Sequence, residues 1–162
     1  MRSPASKTSA GLLPYRVRDG RLEVFIAHMG GPFWARKDDG AWSLVKGEYD
    51  ADEDPFAAAC REFREETGNA PPQGPALALG EQRQASGKRV TAWALEGDID
   101  PASVHSNTFT LEWPRGSGLE QEFPEIDRAA WFDAATARRK LVKGQVAFVD
   151  ALERALPGAQ AR

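Results

Sequence analysis

Residues 47–69 read GEYDADEDPFAAACREFREETGN and combine strong helix signals with closely spaced carboxylates. Asp54 followed by Pro55 predicts a helix start, because aspartate caps the first free amides and proline suits the first helical position. Gly68 predicts the end, since glycine readily adopts the left-handed conformation that follows a helix. The stretch therefore predicts a helix from Pro55 to Thr67.

Helical geometry divides the side chains of this segment into two sets. We expect one set to pack against the rest of the protein, and its members are Phe56, Cys60, Phe63 and Thr67. The second set, Glu62, Glu65 and Glu66, is expected on the opposite side. Cys60 is accordingly interpreted as a packing residue and not as a nucleophile.

Glu62, Glu65 and Glu66 lie at positions i, i+3 and i+4, so they repel one another unless a cation lies among them. Carboxylate oxygens select hard cations, and magnesium uses a few of them while keeping water and phosphate oxygens as its other ligands. Beside Arg61 and Arg64, however, the same acids are typical of a solvated, salt-bridged surface. The helix alone leaves both alternatives open.

A longer pattern surrounds these acids and favours the metal site. Gly47 is followed after five residues by Glu53, and after seven more by the run REFREETG, which ends at Gly68. Seven fixed positions arise by chance about once in 10⁸ windows at background residue frequencies. The segment resembles the box of the Nudix hydrolases. The segment WSLVKG at residues 42–47 and the spacing from Glu125 to Trp131 extend the resemblance over most of the chain.

The resemblance implies the catalytic group and its metal ions, Mg²⁺ with Mn²⁺ as a substitute. The expected ligands are the side chains of Glu62, Glu65 and Glu66, the main chain near Gly47, and Glu53 through water. Arg61 is similar to the arginine that holds a box carboxylate and keeps the loop folded against the helix. In the family, a later loop often adds one more acid. Here the spacing to Trp131 indicates Glu125, with Glu122 as the alternative and Glu120 as a third choice.

The resemblance also implies a small nucleotide substrate. Lys46 is a candidate phosphate donor, and an aromatic side chain, from Phe33, Trp34 or Trp42, is a candidate to stack on a base. The layout looks most like the dinucleoside polyphosphate (Ap4A-type) branch, and nucleoside triphosphates and ADP-ribose stay open. The implied activity is hydrolysis of a phosphoanhydride bond in a nucleoside diphosphate linked to another moiety. The alternative is a catalytically silent module that senses a nucleotide.

The remaining sequence predicts the other elements. The Asp19-Gly20 pair predicts a hairpin that joins strands at 11–17 and 22–28. Further strands are expected at 76–82, 89–95 and 129–132, with loops at 30–40 and 115–118. A helix interrupted near Gly144 is expected from Ala134 to Leu156. The order predicts an α/β fold, a Nudix-type α/β/α sandwich with a mixed central sheet.

Composition limits which classes of protein and of binding partner remain possible. The 162 residues suit one Nudix domain, with residues 1–9 a flexible start, and 41% hydrophobic and 28% charged residues are ordinary globular values. The net charge of −3 argues against a nucleic-acid partner. The sole cysteine excludes an intramolecular disulfide, and no segment suits a signal peptide or membrane span. We therefore expect a cytoplasmic monomer or homodimer, and ordinary surface or core roles for His28 and His105.

Overall fold

Nine strands and three helices follow one another in residues 8–156, the part of the chain that the computed structural model describes. The strands are β1 (Thr8–Arg18), β2 (Arg21–Met29), β3 (Trp42–Ser43), β4 (Val45–Glu48), β5 (Leu77–Arg83), β6 (Arg89–Glu96), β7 (Thr108–Glu112), β8 (Glu120–Pro124) and β9 (Ile126–Asp133). The helices are α1 (Pro55–Thr67), α2 (Ala134–Lys140) and α3 (Val146–Ala155).

The opening hairpin is confirmed. Asp19 and Gly20 have φ angles of 52° and 77°, and Arg18 pairs with Arg21 across them. Two successive positive φ angles match the twist of a tight hairpin, which is why an Asp-Gly pair favours this turn. The strand begins earlier than expected: Thr8 and Ser9 already belong to β1, so the expected flexibility is wrong for these two residues, while residues 1–7 lie outside the described part.

The strands β1 and β2 pair only near their turn, and the segment at 42–48 occupies the space between them farther away. β3 pairs with β2, and β4 pairs with β1. Leu44 lies where the segment changes partner, and its amide donates to the Oε1 atom of the buried Gln145 at 2.8 Å. The buried amide therefore keeps a hydrogen bond at the one residue between the two strands.

The main sheet is mixed, as predicted. Its strand order is β3-β2-β1-β6-β5, with β4 also paired to β1 and β9 also paired to β2. The β1 and β6 strands are parallel, whereas β2, β4 and β9 run antiparallel to their neighbours. The α/β sandwich with a mixed central sheet is confirmed.

Helices cover both faces of this sheet and create two hydrophobic cores. The α1 core consists of Phe63, Ala58 and Ala59 packed on residues such as Leu12 and Phe25. The α2/α3 core lies on the other face and includes Val24, Ile26, Ala137, Phe148 and Leu152. Each fully buried large apolar side chain contributes about 1.5–3 kcal/mol, so both helical layers are held mainly by this burial.

The C-terminal region forms two separate helices, where the sequence predicted one interrupted helix. α2 ends at Lys140, and Leu141 forms a bridge with Trp42 of the sheet. A short 3-10 turn, Lys143–Gln145, then leads into α3. The Val142 amide donates to the Trp42 carbonyl at 2.8 Å. A contact with the sheet, in addition to Gly144, therefore interrupts the helix.

Strands β7 and β8 form a two-stranded sheet of their own, which we call the ribbon (residues 108–124). The sequence predicted only a loop around Arg115 to Gly118, and this loop is the turn of the ribbon. The side chains of β7 and β8 are half-buried or exposed, so these strands show only weakly the alternation of apolar residues that marks a core strand. No helix of the described part is long and apolar enough to cross a membrane.

Candidate active site

The helix α1 has the predicted bounds, and its caps explain them. The Asp54 side chain accepts a hydrogen bond from the Ala57 amide at 2.9 Å. At the other end Gly68 has a φ of 73°, and its amide donates to the Arg64 carbonyl at 2.8 Å. The caps fix the start and end of the helix and thereby the helical position of each acid between them.

The expected division of α1 into an apolar stripe and an opposite acidic side is partly wrong. Phe63 and Thr67 are buried as expected, but Phe56 and Cys60 are only partly buried. Glu62 is itself buried, with 9% of its surface exposed.

The reason lies in the two small side chains one turn before Glu62. Ala58 and Ala59 are fully buried against the sheet, so the packed face of α1 is centred nearer to them than to Phe56. At about 100° per residue, Glu62 and Glu66 fall between these alanines around the helix. The two acids thus lie within the packed face, where they meet β4, and not on a solvent-exposed side.

Gly47 of β4 lies against Glu62. A Cβ atom at Gly47 would overlap the Glu62 carboxylate, so only glycine fits there while the acid keeps its position. The glycine and the acid, 15 residues apart, are therefore one packing unit. The structure gives the first position of the sequence pattern a steric reason.

Arg61 connects the acids of the loop and the helix. Its guanidinium donates to both Glu53 oxygens, at 2.9 and 3.1 Å, and to Glu62 Oε2 at 2.6 Å. Glu65 accepts weaker bonds at 3.4 Å. The fork geometry of arginine suits the two-bond contact with Glu53, and this ion pair lowers the pKa of Glu53. Arg61 therefore has the structural contacts that the sequence predicted.

Glu66 and Lys46 line a cavity of about 170 Å³ together with Glu125. Its remaining walls come from β2, from β3 with the residue that follows it, and from β9, and consist of Ala27, Met29, Ser43, Leu44 and Ile126. The structure thus brings Glu125 to the box acids. Glu122, the alternative, is exposed on the ribbon opposite Thr110, and Glu120 is also exposed there.

The cavity carries an excess of negative charge. Burial and the charges of Glu125, Glu62 and Glu65 raise the pKa of Glu66 to about 7. Burial also raises the pKa of Glu62, although Arg61 opposes the shift. Burial lowers the pKa of Lys46. Each shift reflects the cost of placing a charge away from water, and for the acids also the repulsion among carboxylates.

Backbone contacts hold Glu125 in place. The Gly30 amide donates to the Glu125 carbonyl at 3.0 Å, and the Glu125 amide donates to Asn107 at 2.9 Å. A Cβ at Gly30 would overlap the Pro124 carbonyl oxygen, so glycine is required for this close approach. The sequence assigned Gly30 only to a loop, and its neighbour Gly31 gave no further signal.

Trp42 and Trp34, the two tryptophans predicted to contact the substrate, do not line the cavity. Trp42 is 3% exposed, packs edge-to-face against His28 and Phe132, and donates its Nε1 hydrogen to Asp38 at 2.8 Å. Its rings are enclosed by the α2/α3 core, so the prediction that Trp42 stacks on a base is wrong. Trp34 is partly buried against the same core, with the Lys37 ammonium 5.3 Å from its ring, and does not line the cavity.

The donor set fits a hard divalent cation in its chemistry. The acids supply only oxygen atoms, and the raised pKa of Glu66 reflects negative charge that a cation would neutralise. Within residues 8–156, however, no three His, Cys, Asp or Glu side chains are gathered closely enough to hold a metal ion. Arg61 binds Glu62 and Glu65 in this arrangement.

A model of the NUDIX domain matches residues 7–152 of the chain. The chain belongs to the Nudix family. The expectation of a Nudix pyrophosphohydrolase is thereby confirmed at the level of the family. A comparison with curated proteins finds no match.

Several solved structures share the fold. A Caenorhabditis elegans Ap4A hydrolase in a binary complex has 20% identity and a TM-score of 0.66, over 93% of this chain and 98% of that one. The NUDIX domain of Shewanella oneidensis NrtR, complexed with ADP ribose, has 14% identity and a TM-score of 0.64, over 96% and 94%. The Escherichia coli ORF135 protein has 21% identity and a TM-score of 0.55, over 97% and 99%.

Several cavity residues of this Nudix protein were not found by sequence reasoning. Met29, Ser43 and Ile126 line the space in front of Glu66 and Glu125. Each belongs to a short apolar or mixed strand segment, and nothing in such a segment distinguishes a cavity wall from a core residue. The one usable signal was the extension of the family resemblance through residues 42–47.

Proposed function

We propose that this Nudix protein is a Mg²⁺-dependent hydrolase of a phosphoanhydride bond in a nucleoside diphosphate linked to another moiety. The observation that carries the proposal is the cavity where Glu66, Glu125 and Lys46 meet, next to the box acids of α1. Mn²⁺ is the expected substitute. Cytoplasmic location, the lack of a nucleic-acid partner and a monomeric or homodimeric state stay predictions.

The proposed metal ligands are Glu62, Glu65 and Glu66, with Glu53 and the main chain at Gly47 as outer support. When bound, the metal neutralises charge on the phosphates and on the attacking water. Arg61 keeps Glu62 and Glu65 oriented through its guanidinium. Two further charged residues line the cavity and are not proposed as metal ligands, the acid Glu125 and the base Lys46.

Glu125 is proposed as the general base. It accepts a proton from water while the water oxygen forms a bond to one phosphorus and the bridging P–O bond on that phosphorus breaks. The leaving phosphate or nucleotide departs with the electron pair of that bond. Lys46 donates a hydrogen bond to a phosphate oxygen and offsets charge on the phosphoryl group. The half-buried position of Lys46 supports its role, because electrostatic interactions are stronger away from water.

The size of the cavity supports a substrate whose phosphates enter and whose nucleoside remains outside. Sites that enclose a whole ligand occupy about 300–1,000 Å³, more than the 170 Å³ found here. Gly30, at the start of the loop at 30–40, contacts Pro124 at the end of the ribbon, next to the cavity residues Met29 and Glu125. Trp34 and the exposed Phe33 in this loop are the proposed base contacts.

The proposed substrate class is a dinucleoside polyphosphate of the Ap4A type or a nucleoside triphosphate. Fold similarity to an Ap4A hydrolase supports the first, and the NrtR domain with ADP ribose gives a reason to test that compound. The test incubates the protein and Mg²⁺ with diadenosine polyphosphates, nucleoside triphosphates, ADP-ribose and sugar nucleotides. Chromatography identifies released phosphate, pyrophosphate and nucleotides, and these products name the phosphorus attacked.

The matched variants are Glu65→Gln and Glu120→Gln. Both remove one carboxylate charge from an exposed position, but Glu120 belongs to the ribbon and not to the box acids of α1. We expect metal-dependent turnover that falls by on the order of 10³-fold in Glu65→Gln and is unchanged in Glu120→Gln. Turnover that survives chelation of the metal would contradict the proposal. Tight nucleotide binding without turnover would support the alternative, a nucleotide-sensing module.

A further inference from the structure

His28 is fully buried near the end of β2, and each of its ring nitrogens faces an oxygen atom. Nδ1 lies 2.8 Å from Asp127 Oδ1, and Nε2 lies 2.7 Å from the Lys37 carbonyl oxygen. A carboxylate and a carbonyl both accept, so the two bonds exist together when the ring carries a proton on each nitrogen. His28 thereby joins β2, β9 and the loop at 30–40.

Asp127 is the extra residue of a β-bulge. His28 pairs with Arg128 and the next residue, Met29, pairs with Ile126, so Asp127 has no partner in β2. A bulge of this kind re-aims the side chains beside it. The hydrogen bond between His28 Nδ1 and Asp127 links a side chain of β2 to the bulged residue.

The bulge changes which face the start of β9 presents. Ala129 and Trp131 face the α1 core, while Ala130 and Phe132 face the α2/α3 core. Regular alternation would place Ile126 with Ala130, but Ile126 packs against the α1 core. One inserted residue has therefore turned Ile126 towards α1. Glu125, its neighbour, lines the same cavity as Glu66 of α1.

We propose that His28 is a positioning residue, which acts through Asp127 to hold the bulge that places Glu125 opposite Gly30, at the cavity that Glu66 also lines. His28 does not touch the cavity; it acts on the backbone that carries the acid. The inference rests on the proposed function, in which Glu125 takes a proton from water. Because of the extra residue, Met29 pairs with Ile126 and the Gly30 amide reaches the Glu125 carbonyl; without it, both partners in β9 would shift by one residue.

The central experiment is a double-mutant cycle of His28→Phe and Glu125→Gln, with kcat and KM measured on the substrate found above. His28→Phe keeps a ring and removes both hydrogen bonds. We expect its kcat to fall by about 10- to 100-fold, the usual loss when an outer partner of a reacting group is removed, with KM within about twofold. In the Glu125→Gln background the same change should cost less than about twofold. Equal losses in both backgrounds would overturn the proposal.

Three further variants separate positioning from general instability. Asp127→Asn keeps an oxygen that accepts from His28, and Asp127→Ala removes it. Asparagine should therefore retain kcat within about threefold, while alanine should match His28→Phe. Ile26→Val removes a methyl group from the same face of β2, two residues away, and should lower the melting temperature without changing kcat. A loss of kcat in Ile26→Val equal to that in His28→Phe would contradict the proposal.

A structural measurement makes the proposal independent of turnover. In protein labelled with ¹³C at glutamate carboxyls, His28→Phe or Asp127→Ala should shift the Glu125 and Glu66 resonances and leave Glu153 of α3 unchanged. If the wild type hydrolyses no compound, the proposed function fails, and this spectrum still decides the positioning. Unshifted Glu125 and Glu66 signals in a folded variant would overturn it.

Discussion

Glu66, one of the three box acids of α1, lines the same cavity as Glu125, but different forces hold the box acids and Glu125. Glu62, Glu65 and Glu66 belong to one helix with its own caps, so their mutual spacing follows from local hydrogen bonds. Glu125 follows a two-stranded ribbon, and its position depends on contacts with Gly30, Asn107 and the bulge at Asp127. An isolated two-stranded hairpin is marginally stable in water. The helical acids are therefore fixed locally, and Glu125 is fixed by distant segments.

The two regions also differ in how their charges are compensated. Arg61 compensates Glu62 and Glu65, while burial and the charge of Glu125 act against ionised Glu66. Glu66 is therefore the residue where the locally held acids and the distantly held acid interact. Changes at Glu66 and at Glu125 test whether the two regions work as one site.

The largest effect is expected for Glu66→Gln. The change removes a proposed metal ligand but keeps the shape of the side chain, so turnover should fall by on the order of 10³-fold, or about 4 kcal/mol. Titration with Mn²⁺, followed by its paramagnetic resonance, should show weaker binding as well. Normal metal affinity in the variant would remove Glu66 from the ligand set.

Glu125→Gln should have the second-largest effect. Loss of a general base typically costs at least about 10²-fold in kcat, or roughly 3 kcal/mol. Steady-state kinetics of this variant can be compared with Glu122→Gln, which removes the same charge from an exposed position three residues earlier. Equal activities of the two variants would show that the ribbon junction contributes no reacting group.

A smaller effect is expected on stability in the absence of metal. The pKa of Glu66 is about 7 in the folded protein, above the ordinary value of 4.5, so the folded state binds its proton more tightly than the unfolded state. Its contribution to the free energy of unfolding is therefore highest at low pH and falls as the pH rises from 4.5 towards 7.

Glu66→Gln removes this penalty. With a chelator present, the variant should be more stable than the wild type at pH 8 by about 1–3 kcal/mol, and the difference should decrease towards pH 5. Urea unfolding at several pH values measures it. A pH-independent difference would mean that burial and the neighbouring charges do not raise the pKa of Glu66. Added Mg²⁺ should reduce the difference by stabilising the wild type.

The smallest effect is expected for Trp42→Phe. The change removes the Nε1 bond to Asp38 from the α2/α3 core and should cost about 1 kcal/mol of stability. Because Trp42 lies away from the cavity, KM should stay within about twofold for every substrate. A specific rise in KM would restore Trp42 as a base contact and contradict the burial seen in the structure.

Local patterns predicted one region well. The Asp54-Pro55 start and the Gly68 end gave the bounds of α1, and Asp19-Gly20 gave the turn of the opening hairpin. Both depend on backbone preferences of a few adjacent residues. The ribbon was missed because its strands bury little surface and so lack the apolar alternation of core strands.

The sequence by itself determined the family, the mixed sandwich and the helical spacing of the box acids, and its spacing to Trp131 predicted Glu125 as the additional acid. Only the tertiary structure decided which face of α1 is packed, because Ala58 and Ala59 are fully buried whereas the larger Phe56 is only partly buried. It also decided that Trp42 is core and that His28 faces Asp127. These outcomes depend on contacts between segments far apart in the chain, and no local preference encodes them.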